Sequence, residues 1–176
     1  MTGLIEVKLT ELSQFFNSMD PSPFHERDLD HDAEQFIVSW AQEHSKHHDL
    51  KLVVHLAKCP ADTPDPQKLV ADSVAHYFEY QANMALRERR RLMREGRGAL
   101  LMGLAFLALC EFAATLLTPP EGNWQTVVRE GLTIIGWVAM WKPLDIYLYR
   151  WRPIVALRRL YQRLSRMSVE VHCPST

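Results

Sequence analysis

Hydrophobic and polar positions alternate over short distances in the first third of this chain and give way to two long apolar runs in its second half. Residues 4–9 (Leu-Ile-Glu-Val-Lys-Leu) place Ile5, Val7 and Leu9 on one face and Glu6 and Lys8 on the other, which predicts a short strand. Thr10 can cap a short helix with Leu12, Phe15, Phe16 and Met19 on one side, ended by Pro21 and Pro23. Asp30 or Asp32 is suited to cap the next helix, predicted to run to about residue 44. Its Ala33, Phe36, Ile37, Trp40 and Ala41 fall on a single stripe. Residues 51–56 (Lys-Leu-Val-Val-His-Leu) are more apolar and predict a second, central strand.

Asp65 and Pro66 form an N-cap and a first-turn proline for a helical pattern that meets no breaker before Glu95. Val70, Val74, Tyr77, Phe78, Gln81 and Ala85 line one side of it. Only Gly96 and Gly98 separate this pattern from the first apolar run, and an isolated glycine costs a helix roughly 1 kcal/mol. One long helix is therefore expected. The first run, residues 98–117, has one ionisable side chain, Glu111, and its length matches a hydrocarbon core of about 30 Å. The second, 131–149, is less clean because Lys142, Pro143 and Asp145 interrupt it. Trp137, Trp141, Tyr147, Tyr149 and Trp151 resemble an interfacial aromatic belt, and Lys142 can snorkel to the headgroups. Beyond a bend at Pro153, residues 154–166 form a basic amphipathic helix, and 168–172 alternate as a third strand.

The predicted fold is an α+β membrane protein, a transmembrane helical hairpin with a small cytoplasmic α/β domain that the C-terminal strand completes. Its parts are the domain (1–66), a stalk helix (67–97), a first span (98–117), an outer loop (118–130), a second span (131–149), the basic helix (150–166) and the returning strand (167–176).

Charge sharpens this topology. A net charge of −1 conceals an acidic first part, because residues 1–86 hold 14 acidic against 6 basic side chains. Twelve arginines flank the two runs: Arg87, Arg89, Arg90, Arg91, Arg94 and Arg97 before the first, and Arg150, Arg152, Arg158, Arg159, Arg163 and Arg166 after the second. Basic residues beside span ends prefer the cytoplasmic side, so both termini are expected there. No signal-peptide pattern opens the chain. Cys59, Cys110 and Cys173 lack metal or disulfide spacing, so Cys59 and Cys173 are expected as reduced cytoplasmic thiols.

Three groups of residues carry candidate chemistry. Glu111 is a carboxylate in an apolar run, and Arg129 falls at a similar level of the second segment, so an intramembrane polar pair is expected. The alternative for Glu111 is the lining of a proton or ion path in an oligomer. The arginines, in particular Arg89, Arg90, Arg91, Arg94, Arg97, Arg150, Arg152, Arg158 and Arg159, suit anionic lipid headgroups, each contributing on the order of 1 kcal/mol. Beside two spans these are nearer phosphates than nucleic acid, which is not an expected partner. His25, Asp28, His31 and Asp32 contain metal-ligand chemistry, with His44, His47 and His48 beyond the next helix, but no diagnostic spacing, so caps and solvated charge are the simpler account. No cofactor is implied and no reaction can be named.

The segment 136–149 (Gly-Trp-Val-Ala-Met-Trp-Lys-Pro-Leu-Asp-Ile-Tyr-Leu-Tyr), with Trp151-Arg-Pro153, resembles the ending of uncharacterised bacterial inner-membrane proteins with two transmembrane helices. Residues 22–28 (Ser-Pro-Phe-His-Glu-Arg-Asp) look like their N-terminal part. The resemblance implies a bacterial inner membrane and no activity. The functional expectation is a membrane-anchored, non-catalytic interaction or scaffold protein that self-associates and meets a protein partner through its cytoplasmic domain. A channel or transporter subunit is the alternative, and a metal-dependent membrane-associated hydrolase the third reading.

Overall fold

Three strands pair into one parallel sheet in the order β1-β2-β3, formed by Gly3–Leu9, Leu50–Leu56 and Ser168–His172. The computed structural model describes residues 3–17, 28–43, 49–59, 65–117 and 123–174. The alternation of each strand decides the two faces of the sheet. Ile5 pairs with Leu52 and Leu52 with Val169, while Val7, Val54 and Val171 form the next row, all on the covered face. The opposite face carries Glu6, Val53 and Glu170, then Lys8, His55 and His172. β2 is central, as its apolar sequence predicts, and the C-terminal strand joins the same sheet as the N-terminal one.

The remaining elements are a 3-10 turn (Leu12–Phe15), α1 (His31–Glu43), α2 (Pro66–Leu117), α3 (Asn123–Ala139), α4 (Trp141–Asp145), a π-helical turn (Ile146–Arg150) and α5 (Trp151–Leu164). The described chain divides into two compact units, Met1–Ala85 with Ala156–Thr176, and Leu86–Val155. In the first unit the covered sheet face packs against Phe15, Phe16, Leu29, Ile37, Val70, Val74, Phe78, Leu160 and Leu164, all buried.

Four expectations need correction. The helix expected after Thr10 is a single 3-10 turn. Gln14 Oε1 accepts from the Thr10 and Glu11 amides, Phe16 is extended, and backbone bonds tie Asn17 to Asp28 and Asp30 to Phe15. The chain is thus drawn out of the helix, and both phenylalanines reach the core. Met19, at the end of the predicted stripe, lies outside the described residues.

The segment 131–149 is not one uninterrupted helix. α3 begins earlier, at Asn123, and stops at Ala139. Pro143 has no amide to donate and crowds the carbonyl four residues back, so the chain breaks at Met140, whose amide bonds instead to Trp137 O. A π-helical turn follows, and the Trp151 indole donates to its Tyr147 carbonyl at 2.8 Å. The short outer loop expected over 118–130 is correspondingly shortened further from its C-terminal side, since 123–130 belong to α3.

Among the described residues, one helix, α2, is long and apolar enough to cross a membrane. α2 itself runs through Gly96 and Gly98 without interruption.

The fourth correction concerns the cysteines. Cys59 and Cys173 are disulfide-bonded, with Cα atoms 5.8 Å apart, rather than free thiols. Cys59 follows β2 and Cys173 follows β3. Parallel pairing of those two strands brings their C-terminal ends together, a proximity that residue spacing along the chain does not reveal.

Candidate functional site

Four polar side chains converge within the first unit. α1 contributes Glu34, α2 contributes Tyr77 and Gln81, and α5 contributes Tyr161. The Tyr77 hydroxyl donates to Glu34 Oε2 at 2.8 Å and accepts from Gln81 Nε2 at 2.9 Å. Tyr161 donates to Glu34 Oε1 at 3.5 Å, the long limit for such a bond. Burial, followed by the bond to Glu34, pushes the Tyr77 phenol well above its ordinary range, although the Gln81 bond acts the other way. Burial and then the Glu34 charge push Tyr161 up as well. Both phenols are thus held as neutral donors to one carboxylate. This arrangement can clamp three helices.

The open sheet face is a second polar surface. Lys51 Nζ meets Glu170 Oε1 at 2.7 Å, and this hydrogen bond holds the Glu170 carboxyl below its usual range. His55 and His172, paired in register across β2 and β3, stack with ring centroids 5.3 Å apart. A groove of about 420 Å³ lies between α2 and α5, lined by Asp72, His76 and Glu79 on one side and Gln162, Ser165 and Arg166 on the other. Its lining mixes both charge signs and selects no ligand class.

The metal-ligand candidates separate. His25 and the His44, His47 and His48 group lie outside the described residues. Asp28, His31 and Asp32 are exposed around the start of α1, where Asp30 Oδ1 accepts from the Asp32 amide and Asp30 O from the Glu34 amide. Asp30 is therefore the cap. Among the described residues no three His, Cys, Asp or Glu side chains are placed to hold a metal ion.

In the second unit, α2 presents Leu101, Met102, Leu104, Phe106, Leu109, Phe112 and Leu116 to the outside, and only 17% of its most apolar window is buried. Trp124, Ile134, Trp137, Val138 and Trp141 are exposed in the same way on α3 and α4. An apolar surface of this extent marks a contact with a membrane or with another protein. Glycines set the packing beneath it. A Cβ on Gly103 would lie 3.2 Å from the Ala139 carbonyl oxygen, and one on Gly136 would lie 3.4 Å from Leu107 Cα.

Glu111 is half-buried on α2 and Arg129 exposed on α3, and no ion pair joins them among the described residues. Of the arginines, Arg90, Arg91, Arg94, Arg97, Arg150, Arg152 and Arg159 are exposed, while Arg89 and Arg158 are half-buried. Arg91 is engaged with Glu95 at 3.2 Å, one helical turn away.

The Glu34 cluster and the His55–His172 stack escape a reading of the sequence alone. The second becomes legible once β2 and β3 are placed side by side in register. The first needs the packing of three helices. Compared with family models, curated proteins and solved structures, the chain matches none. The functional reading therefore rests on the residues themselves.

Proposed function

We propose that this chain is a membrane-anchored, non-catalytic scaffold that self-associates, with two crossings and both ends on the cytoplasmic side of a bacterial inner membrane. The observation that carries the reading is topological. β1, beginning at Gly3, and β3, ending at His172, belong to one sheet. If α2 crosses a bilayer, the chain has to cross back before β3, and the apolar segment from Asn123 to Arg150 is the stretch available for it. α3 alone, at about 26 Å, falls short of a core of about 30 Å, so the return includes α4 and the π-helical turn. Flanking arginines then favour the cytoplasm for both ends, where they meet anionic headgroups.

Self-association is supported by Phe36 and Trp40, which lie 5.9 Å apart on α1 and remain exposed although their helix buries Ile37 and Ala41. Mass photometry of the full chain in nanodiscs tests this. Oligomers are expected for the natural sequence, and Phe36→Asp should shift them to single chains. Single chains throughout would remove the self-association.

A channel or transporter subunit is the second reading, favoured by Glu111 standing in an apolar stretch without an Arg129 partner. It predicts that Glu111→Gln assembles normally yet changes ion flux in reconstituted vesicles. Unchanged flux would leave the scaffold.

A further inference from the structure

A groove of about 560 Å³ runs along the second unit between α2 and the α3–α4 segment. Ala99, Met102, Gly103, Phe106 and Leu109 line it from α2, and Ala139 and Lys142 close its other side. The α2 residues follow one helical stripe from 99 to 109, a length of about 15 Å. That is about half of a bilayer's hydrocarbon core, the depth of a single leaflet. Small side chains make the channel, because Gly103 lets the Ala139 backbone approach while the alanines leave space beside it.

Its polar character is confined to one place. Among the described residues Lys142 is the only charged one of the lining, and because Gly103 meets Ala139 and Met140 while Gly96 meets Ile146 and Tyr147, it falls toward the Ala99 end, which adjoins Arg97. Asp145, three residues on, is half-buried and makes no ion pair with Lys142 among the described residues. An apolar slot one leaflet deep, ending in an exposed ammonium group at headgroup level, has the chemistry of a chain-and-phosphate site.

We propose that this groove holds one acyl chain of an anionic phospholipid from the surrounding bilayer, with the headgroup phosphate on Lys142. The inference rests on the membrane reading above and adds a discrete site to the general attraction of the arginines. It explains why a lysine stands inside the second apolar run: the ammonium group compensates a bound phosphate.

Native mass spectrometry of the full chain in detergent micelles tests it, by titration with phosphatidylglycerol and phosphatidylcholine of identical chains. The first phosphatidylglycerol should bind about fivefold tighter than the first phosphatidylcholine, the effect of one basic residue near a headgroup. Lys142→Gln should erase this difference and Lys142→Arg should keep it. Ala105→Phe, at an exposed lining position, should weaken both lipids by filling the slot. Equal affinities in the natural sequence, or a preference that survives Lys142→Gln, would overturn the site and leave the arginines as the headgroup contact. A change of oligomeric state with Ala105→Phe, without loss of lipid, would assign the groove to a second copy of the chain. The membrane reading fails separately if an alkaline carbonate wash strips the protein from membranes.

Discussion

At the scale of single residues, the Glu34 cluster shows how a polar group earns a place beside an apolar core. Tyr77 is buried along with Phe78, and its ring belongs to the core while its hydroxyl bridges Glu34 and Gln81. Replacing it with phenylalanine keeps the ring and removes both bonds, so Tyr77→Phe should cost about 1–3 kcal/mol in a denaturant titration, since one bond is to a carboxylate. Tyr161→Phe should cost less, its bond being at the 3.5 Å limit. The pH dependence has a definite sign. The folded Tyr77 phenol holds its proton more tightly than an unfolded one, so its contribution is complete below pH about 10 and declines as pH rises further. Tyr77→Phe should flatten that alkaline loss. Glu170 has the opposite sign. Its carboxyl is held low by Lys51, so its contribution is present above the ordinary carboxylate range and disappears on acidification. Being at the surface, that pair adds little.

Elements are where the sequence is most legible and where its limits have clear physical causes. β1 and β3 can be read because alternation survives in them, β2 because its run is more apolar, and the long α2 because no breaker intervenes before its apolar run. The 3-10 turn and the broken second apolar segment are harder to read, since each depends on competition between partners. Backbone pairing of 15–17 with 28–30 outbids one more turn of helix, and Pro143 acts on a carbonyl four positions earlier. The candidate sites are less legible still. Lys51–Glu170 and His55–His172 follow from strand register, whereas Glu34, Tyr77 and Tyr161 meet through helix packing over separations of 43 and 127 residues. Glycines in the second unit give a graded test of element packing. Gly98 has open space around a prospective Cβ, so Gly98→Ala should stabilise the helix by up to about 1 kcal/mol. Gly103→Ala forces a Cβ to 3.1 Å from Met140 Sδ and 3.2 Å from the Ala139 carbonyl oxygen, a backbone atom that cannot swing away. It should destabilise by about 1–3 kcal/mol, and Gly136→Ala by less, because the atom in its way is the tip of Leu107. Thermal unfolding of the three variants in one detergent should reproduce that order.

For the whole molecule, the arginine flanks and the cysteine pair make opposite demands on compartment. Twelve arginines beside the apolar runs favour the cytoplasmic side for both ends. The Cys59–Cys173 bond joins residues 114 apart in sequence, and such bonds persist in oxidising compartments. On the membrane reading proposed above, the arginines set the side on which both ends lie, and the compartment on that side then sets the state of the sulfurs. Acid quenching of intact cells followed by alkylation is therefore expected to find Cys59 and Cys173 as thiols during unstressed growth. A thiol oxidant should convert them to the bonded form. The bond also matters to stability, because β3 buries only Val169 among its side chains and closing a long loop constrains the unfolded chain. Reduction of the purified protein should lower unfolding stability by about 2–4 kcal/mol, and Cys59→Ser should remove that sensitivity. Hydrogen exchange of the β3 amides should rise with it, since their strand loses its covalent tie to the end of β2. A bonded pair in unstressed cells would reverse the assignment. Both ends would then face an oxidising compartment, and the arginine-rich flanks would lie outside against their usual preference.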